Sequence, residues 1–230
     1  TDGAVHIPYN FENIWIKAIP LETDIPLGFW RAVFNSQNAF ANECFIDEIA
    51  FKLNLDPVEL RLKNLKKDSR SYNVIKKTAE ESNWGKESKD NIHKGFAYHY
   101  SFGSHVAQVA EISVSDKNHI KVHNVHCVVD CGQAVNPLTI RAQMQGSIIF
   151  GLGATLQSEM TVRDGRVNES NYDDYPVVRF DDAPNISVSI IPSTKEPGGV
   201  GEPGLPPIAP AIANAVFAAT GKRLRKLPIL

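Results

Sequence analysis

The chain has 230 residues, with 24 lysines and arginines against 26 aspartates and glutamates, and 43% of its residues are hydrophobic. This composition is ordinary for a globular protein that can bury a substantial core. The near-neutral charge and the lack of a basic run exclude an electrostatic nucleic-acid surface, and no apolar run is long enough to span a membrane. Three cysteines without a CxxC pair indicate neither a disulfide framework nor an iron–sulfur cluster.

The N-terminal part carries the pattern of one strand followed by helices. Residues 13–19, NIWIKAI, alternate as a strand does. A helix is predicted from about Ser36, and its buried stripe comprises Ile46, Ile49, Ala50 and Leu53. A more polar helix is predicted over 72–83. We therefore treat 1–94 as a helix-rich segment with an N-terminal strand.

The second of these helices has the clearest start signal. Asp56 can serve as its N-cap, Pro57 occupies the first helical position, and Glu59 completes a capping box. Val58, Leu62 and Leu65 then share one face. These residues predict a short amphipathic helix directly after the first one.

Strand patterns dominate from Gly95 onward. Apolar residues alternate along 110–114 and again along 120–129, on either side of a turn at Asp116-Lys117-Asn118. The second alternation changes phase between Val122 and Val125, which one β-bulge would produce. A hairpin turning at Asp164-Gly165 and a half-buried strand over 186–190 are also predicted.

Two further helices are predicted in the C-terminal part. The first follows Pro137 and contains Gly146, Gly151 and Gly153, which implies that something packs close to its backbone. The second, from Ala209 to Thr220, is apolar nearly all round and should be buried. The resulting fold class is α+β, with mixed sheets and packed helices. Residues 95–230 form its sheet-rich part, and a single domain over 1–230 remains an alternative.

The loop before the last helix holds the strongest catalytic candidate. EPGGVGEPGLPPIAP, at 196–210, has four glycines and five prolines in fifteen positions. Because this loop leads into a buried helix, we expect Glu202 to lie deep, where a carboxylate can become a general base. A solvated glutamate in a surface turn is the alternative, and loop composition alone slightly favours it.

The histidines give weaker hypotheses. His123 and His126 are a possible metal pair if the bulge lies between them, although two ligands without a third are more often solvated strand residues. His99 and His105 lie among aromatic residues and could line a surface or partner contact, although core packing is the commoner explanation. The chain offers no coherent set of metal ligands.

Four groups of segments stand out along the chain. They are GFWRAV at 28–33 with NAF at 38–40, ECFIDEIA at 43–50 with DPVELRLKNL at 56–65, VVDCGQAVNP at 128–137 with Gln143 and GLG at 151–153, and GGVGEPG at 198–204. Together they resemble the molybdopterin-binding subunits of the xanthine dehydrogenase and aldehyde oxidase superfamily, and the isoquinoline 1-oxidoreductase beta subunits above all. They occur in the family's order and spread over most of the chain.

The resemblance implies a role for several residues. Glu202 matches the family's catalytic glutamate, which removes a proton from the oxygen nucleophile at the molybdenum. Gly199, Val200 and Gly201 match the loop beside the metal, and Gln143 and Arg31 match residues at the pterin cofactor. Val33 falls where relatives with xanthine or aldehyde activity carry an aromatic substrate contact, so the substrate class stays open. No protein ligand to molybdenum is expected, since the pterin dithiolene holds the metal.

The resemblance also implies cofactors and partners. The cofactor of the complete enzyme would be molybdopterin in its cytosine dinucleotide form. The enzyme would hydroxylate an N-heterocycle or an aldehyde, with water as the source of the oxygen atom. Family members have a longer large subunit and a separate small [2Fe–2S] subunit. We therefore expect this chain to be about the last third of its subunit, with no tightly bound cofactor and no activity alone. A non-catalytic scaffold or assembly module is the alternative, and the compartment, periplasm or cytoplasm, stays open.

Overall fold

A computed structural model describes residues 3–88, 91–117 and 119–229. Within these ranges the chain folds into one four-stranded sheet between two layers of helices, with a separate small hairpin. The predicted α+β class is therefore confirmed. Among the described residues, no helix combines the length and the apolar character needed to cross a membrane.

The elements follow the predicted order closely. The helices are α1 (Phe34–Lys52), α2 (Pro57–Lys63), α3 (Arg70–Glu81), α4 (Pro137–Leu156) and α5 (Ile208–Thr220). The strands are β1 (His93–Ser101), β2 (Ser104–Val114), β3 (Ile120–Asp130), β4 (Val162–Arg163), β5 (Arg166–Val167) and β6 (Asn185–Ile190), and a 3-10 turn at Phe180–Asp182 precedes β6.

The sheet has the order β1-β2-β3-β6. Its first three strands are antiparallel, whereas β6 runs parallel to β3. The predicted β-bulge is confirmed, since Glu111 pairs with Asn124 and Ile112 with Val122, which leaves His123 as the extra residue. The bulge returns Val125 to the face of Val122, and this explains the change of phase in the sequence.

The sheet is covered on both faces. Phe96, Tyr98 and Val109 point toward α1, α2 and α3 and belong to one apolar cluster. Val106 and Ala110 point the other way, into a second cluster that contains α4 and α5. The buried position predicted for the last helix is confirmed, because every residue from Ile208 to Val216 except Ala209 is buried.

Helices α1 and α5 also cover the free edge of β1. A carboxylate oxygen of Glu43 in α1 accepts a hydrogen bond from the Tyr98 amide at 2.8 Å, and the Asn214 side chain in α5 donates to the Phe96 carbonyl at 3.0 Å. A Cβ on Gly95 would lie 2.1 Å from the Ala211 carbonyl oxygen, so only glycine permits this approach of α5. The edge strand is thereby protected from pairing with another chain.

Several local predictions are confirmed in detail. Asp56 caps α2 by accepting hydrogen bonds from the amides of Val58 and Glu59, at 2.8 Å and 3.0 Å. The hairpin β4–β5 turns at Asp164-Gly165, both with positive φ. The predicted turn after β2 includes Asn118, which lies outside the described residues.

Two predictions for the N-terminal part are wrong. Residues 13–19 do not form a strand, and their isoleucines and Trp15 are exposed, because the described residues offer them no partner strand. Leu53 was expected in the buried stripe of α1 but caps its C-terminus and is exposed. Helices α1 and α3 of the first segment pack directly on the sheet of the second segment. The division of the chain into 1–94 and 95–230 therefore stays a prediction.

Candidate active site

The glycine-rich loop lies across one end of the sheet. The Gly198 amide donates to the Cys131 carbonyl after β3 at 2.8 Å, and the Gly199 amide donates to the Phe102 carbonyl in the β1–β2 turn at 2.7 Å. The Ser104 hydroxyl donates to the Gly199 carbonyl at 2.6 Å. The loop is thus anchored on two neighbouring strand connections before it reaches Glu202.

Close backbone packing explains the glycine at 198. A Cβ on Gly198 would lie 2.6 Å from the backbone of Gly103 and 2.6 Å from the Ser104 hydroxyl oxygen, closer than real contacts allow. A Cβ on Gly201 would meet no atom within 4 Å, so that residue faces open space. The loop is therefore tightly packed on its sheet side and open on its other side.

This asymmetry gives a test on the stability of the chain. We expect Gly198→Ala to lower the free energy of unfolding by about 1–3 kcal/mol, because the loop must move away from Gly103. Gly201→Ala is the matched control and should change it by about 0.5 kcal/mol or less. Chemical denaturation of both variants measures the difference, and equal values for the two would refute this packing.

Arg31 joins the loop to helix α4. Its Nε donates to the Gly201 carbonyl at 2.9 Å, and one of its terminal nitrogens, Nη2, donates to the same carbonyl and to the Gln143 side-chain oxygen, the latter at 2.9 Å. Partial burial lowers the pKa of Arg31, and the negative charge of Glu202 opposes that shift. The structure thus brings together Arg31, Gln143 and the loop, which are up to 170 residues apart in sequence.

The segment that carries Arg31 also binds the Glu202 side chain. One of its carboxylate oxygens, Oε1, accepts a hydrogen bond from the Ala32 amide at 2.9 Å. Ala32 and Val33 have positive φ values of 71° and 50°, which are unfavourable for residues other than glycine. Glu202 was expected to lie deep, but it is only half-buried, because it lies between the largely exposed first part of the loop, 196–201, and the buried residues 203–208.

Val33 lines a groove beside this constellation. The groove has a volume of ≈ 520 Å³, and its other lining residues include Leu27, Phe29, Trp30 and Phe34. Glu202 is not among the lining residues, although its hydrogen-bond partner Ala32 precedes Val33. The structure therefore places Val33 next to the site and in an apolar surrounding.

Comparisons with known proteins show the family to which the chain is related. Two family profiles, each described as a molybdopterin cofactor-binding domain, match residues 40–184 and 2–65. The isoquinoline 1-oxidoreductase beta chain of Brevundimonas diminuta is 36% identical over 93% of this chain. The chain belongs to the molybdopterin cofactor-binding domain family. This confirms the family inferred from the four groups of segments.

This molybdopterin cofactor-binding chain is shorter than its relatives. It spans 28% of the Brevundimonas protein. It also spans 20% of a nicotinate dehydrogenase subunit of Pseudomonas putida, to which it is 34% identical over 96% of its own length. The fold matches the crystal structure of quinoline 2-oxidoreductase from Pseudomonas putida 86, with a TM-score of 0.79 and 13% identity, over 89% of this chain and 52% of that one.

The sequence did not point to four residues that hold Glu202 and its loop in place. Ala32 and Ser104 act as described above, the Gln108 side chain in β2 donates to the Gly204 carbonyl at 2.6 Å, and the Ser147 hydroxyl donates to the Gly201 carbonyl at 3.4 Å. Only Ser147 carried a signal, since it lies four residues after Gln143 on the same face of α4. Ser104 and Gln108 bind backbone carbonyls of the loop, and Ala32 acts through its own backbone amide.

The histidines do not join the site. His123 contacts Ser113, His126 contacts Ser187 and Glu111, and no group of three or more metal-ligating side chains occurs in the described part of the chain. His99 and His105 are packed against the α1–α3 layer, and burial lowers the pKa of each to about 4. The core-packing explanation is therefore confirmed for His99, which is buried, whereas His105 is half-buried and lines a surface pocket with Arg70 and Tyr100.

Proposed function

We propose that this chain forms one wall of the active site in the large subunit of a molybdenum hydroxylase, with Glu202 as the general base. The observation that carries the proposal is that Arg31 joins Gln143 to the carbonyl of Gly201, next to Glu202, while the Ala32 amide binds the Glu202 carboxylate. Except for Ala32, these are the residues for which the sequence resemblance implied roles at the cofactor, and family membership supports them independently of that geometry.

The exposed side of the loop fits a large polar cofactor. The amides of Val200 and Gly201 have no hydrogen-bond acceptor among the described residues, and Gly201 faces open space. Backbone donors of this kind, together with the side chains of Arg31 and Gln143, are suited to a molybdopterin, which we propose is the cytosine dinucleotide form. When bound, the cofactor supplies the metal that accepts the electrons of the oxidation.

The Glu202 carboxylate is arranged for proton transfer. Its Oε1 atom is engaged by the Ala32 amide, whereas Oε2 has no hydrogen bond to a described residue. One oxygen therefore fixes the orientation of the carboxylate and leaves the other free to accept a proton from a reacting water-derived oxygen. Arg31 binds the carbonyl of the preceding residue, Gly201, so that the segment 31–32 holds both the backbone before the base and its carboxylate.

The apolar lining of the neighbouring groove supports the proposed substrate class. Val33 and the aromatic residues Phe29, Trp30 and Phe34 give the groove this lining, which suits a flat N-heterocycle or an aldehyde. An aliphatic residue at position 33 also leaves more room than an aromatic one would. We propose that water supplies the oxygen atom added to this substrate.

The proposed partners are the remaining part of the large subunit and a small iron–sulfur subunit. Since the chain spans about a quarter of its relatives or less, the remaining part of the large subunit would complete the cofactor site. A small [2Fe–2S] subunit would carry the electrons away. The intact Glu202 and its hydrogen bond favour catalysis over the alternative of a scaffold, because a scaffold has no use for a positioned carboxylate.

Metal analysis tests this proposal. We expect the isolated chain to contain far less than one molybdenum per chain, because only one wall of the site is present. The complete large subunit, co-expressed with its iron–sulfur partner, should contain close to one and should oxidise an N-heterocycle or aldehyde with a dye as acceptor. A complete subunit that folds without molybdenum would contradict the proposal and favour the scaffold.

A further inference from the structure

The segment 13–30 leaves many large apolar side chains exposed. Trp15, Leu21 and Phe29 each expose more than four fifths of their side chains, at 85%, 86% and 93%. Only three of its eighteen residues are charged, namely Lys17, Glu22 and Asp24. Contiguous apolar surface of this kind marks an interaction site, whereas scattered apolar side chains do not.

The first part of the segment has the sequence of a strand without a partner. A strand formed by residues 13–19 would have Ile14 and Ile16 on one face and Trp15 and Ile19 on the other, so that both faces carry large apolar side chains. Such a pattern is typical of a strand covered on both sides. In this chain the amides of 13–19 make no hydrogen bond to a described residue, and Pro20 ends the run.

The position of the segment indicates what pairs with it. It leads directly into Arg31 and Ala32, which contact Gly201 and Glu202. A polypeptide bound along 13–30 would therefore lie beside the open side of the glycine-rich loop. The relatives have most of their length outside the region that matches this chain, which amounts to 28% of one and 20% of another.

We propose that residues 13–19 become a β-strand by pairing with a strand from the part of the large subunit that lies outside this chain. Main-chain hydrogen bonds would give the affinity, and the alternating side chains of the segment would give the register. Pairing along 13–19 would place the remaining part of the large subunit, which would form the second wall of the active site, next to Glu202. This inference rests on the proposed function, because that function requires a second wall.

Hydrogen exchange followed by mass spectrometry tests the pairing. In the isolated chain, peptides covering 13–19 should exchange as fast as unstructured backbone. In the complete large subunit the same peptides should exchange at least ~10²-fold more slowly, as expected for amides in a sheet. Fast exchange in the complete subunit would overturn the proposal. Slow exchange in an isolated chain that forms dimers would also overturn it, because the partner would then be a second copy.

A matched pair of variants tests the side chains. Trp15→Ser with Ile19→Ser should weaken the association of this chain with the co-expressed remainder of the subunit at least tenfold. Phe45→Ser, which removes an exposed aromatic residue of α1 outside the segment, should leave it unchanged. Equal binding by both variants would contradict the proposal.

The outcomes for pairing and for function can be told apart. Slow exchange at 13–19 in a complete subunit without molybdenum or turnover would support the pairing and refute the proposed function. Molybdenum and turnover with fast exchange at 13–19 would support the function and refute the pairing.

Discussion

Replacing Glu202 by Gln is expected to lower turnover of the complete enzyme by ~10²–10⁴-fold or more, the usual contribution of a general base. Gln has nearly the same shape and can still accept the hydrogen bond of the Ala32 amide, so the loop should keep its conformation. It cannot take up a proton, and the oxygen nucleophile would not be activated. Steady-state assays with a reducible dye, together with molybdenum content, measure the effect.

Glu196→Gln is the matched control for this experiment. Glu196 is an exposed residue of the same loop, and the same change of charge there should leave turnover within about twofold. Molybdenum content should stay near that of the unmodified enzyme in both variants. A loss below about tenfold for Glu202→Gln would be too small for a general base and would favour the scaffold.

Replacing Glu43 by Gln is expected to lower the free energy of unfolding by about 3–5 kcal/mol, the usual result of breaking a buried ion pair. Glu43 accepts hydrogen bonds from Arg61, Tyr98 and Tyr9, and the Arg61 side chain is completely buried. Burial acts to lower the pKa of Arg61, but Glu43, together with Tyr9 and Asp47, more than offsets this, so the net pKa is raised and the guanidinium stays charged. Without the carboxylate, that charge would lack its main partner.

An exposed ion pair of the same chain provides the control. Glu59 in α2 contacts Lys63 at 2.7 Å, and both side chains are more than half exposed. Glu59→Gln should therefore change stability by about 0.5 kcal/mol or less. Thermal and chemical denaturation of both variants give the comparison, and a loss near 1 kcal/mol or below for Glu43→Gln would show that the pair does not hold α1, α2 and β1 together.

Local signals in the sequence predicted most of the fold correctly. The cap at Asp56, the turn at Asp164-Gly165 and the apolar helix after Pro207 depend on neighbouring residues only, and each occurs in the structure. The bulge at His123 was also visible, because the period of a strand is two and a change of phase must leave one residue unpaired.

The strand prediction for 13–19 failed for a non-local reason. Alternation shows that a segment suits a sheet, but a strand exists only where another strand offers hydrogen bonds. The described residues contain no such partner for this segment. The alternation is therefore consistent with our proposal that the partner lies outside this chain.

The candidate site was found by resemblance and not by local physics. Arg31 is 170 residues from Gly201 and 112 from Gln143 in sequence, and no periodicity relates positions so far apart. The Ala32 contact could not be predicted at all, because it comes from a backbone amide whose direction depends on an unusual φ value. The half-buried state of Glu202 was missed because apolar flanking residues were taken to imply burial of the whole loop.

Locating the molybdenum in crystals of the complete large subunit, by anomalous scattering at the molybdenum absorption edge, tests the central claim most directly. We expect the peak on the open side of Gly199–Glu202, near Arg31 and Gln143. The free oxygen of Glu202 should then lie within hydrogen-bond distance, about 2.6–3.2 Å, of the reacting oxygen atom. A peak on the α1–α3 side of the sheet, or one remote from Glu202, would contradict the account.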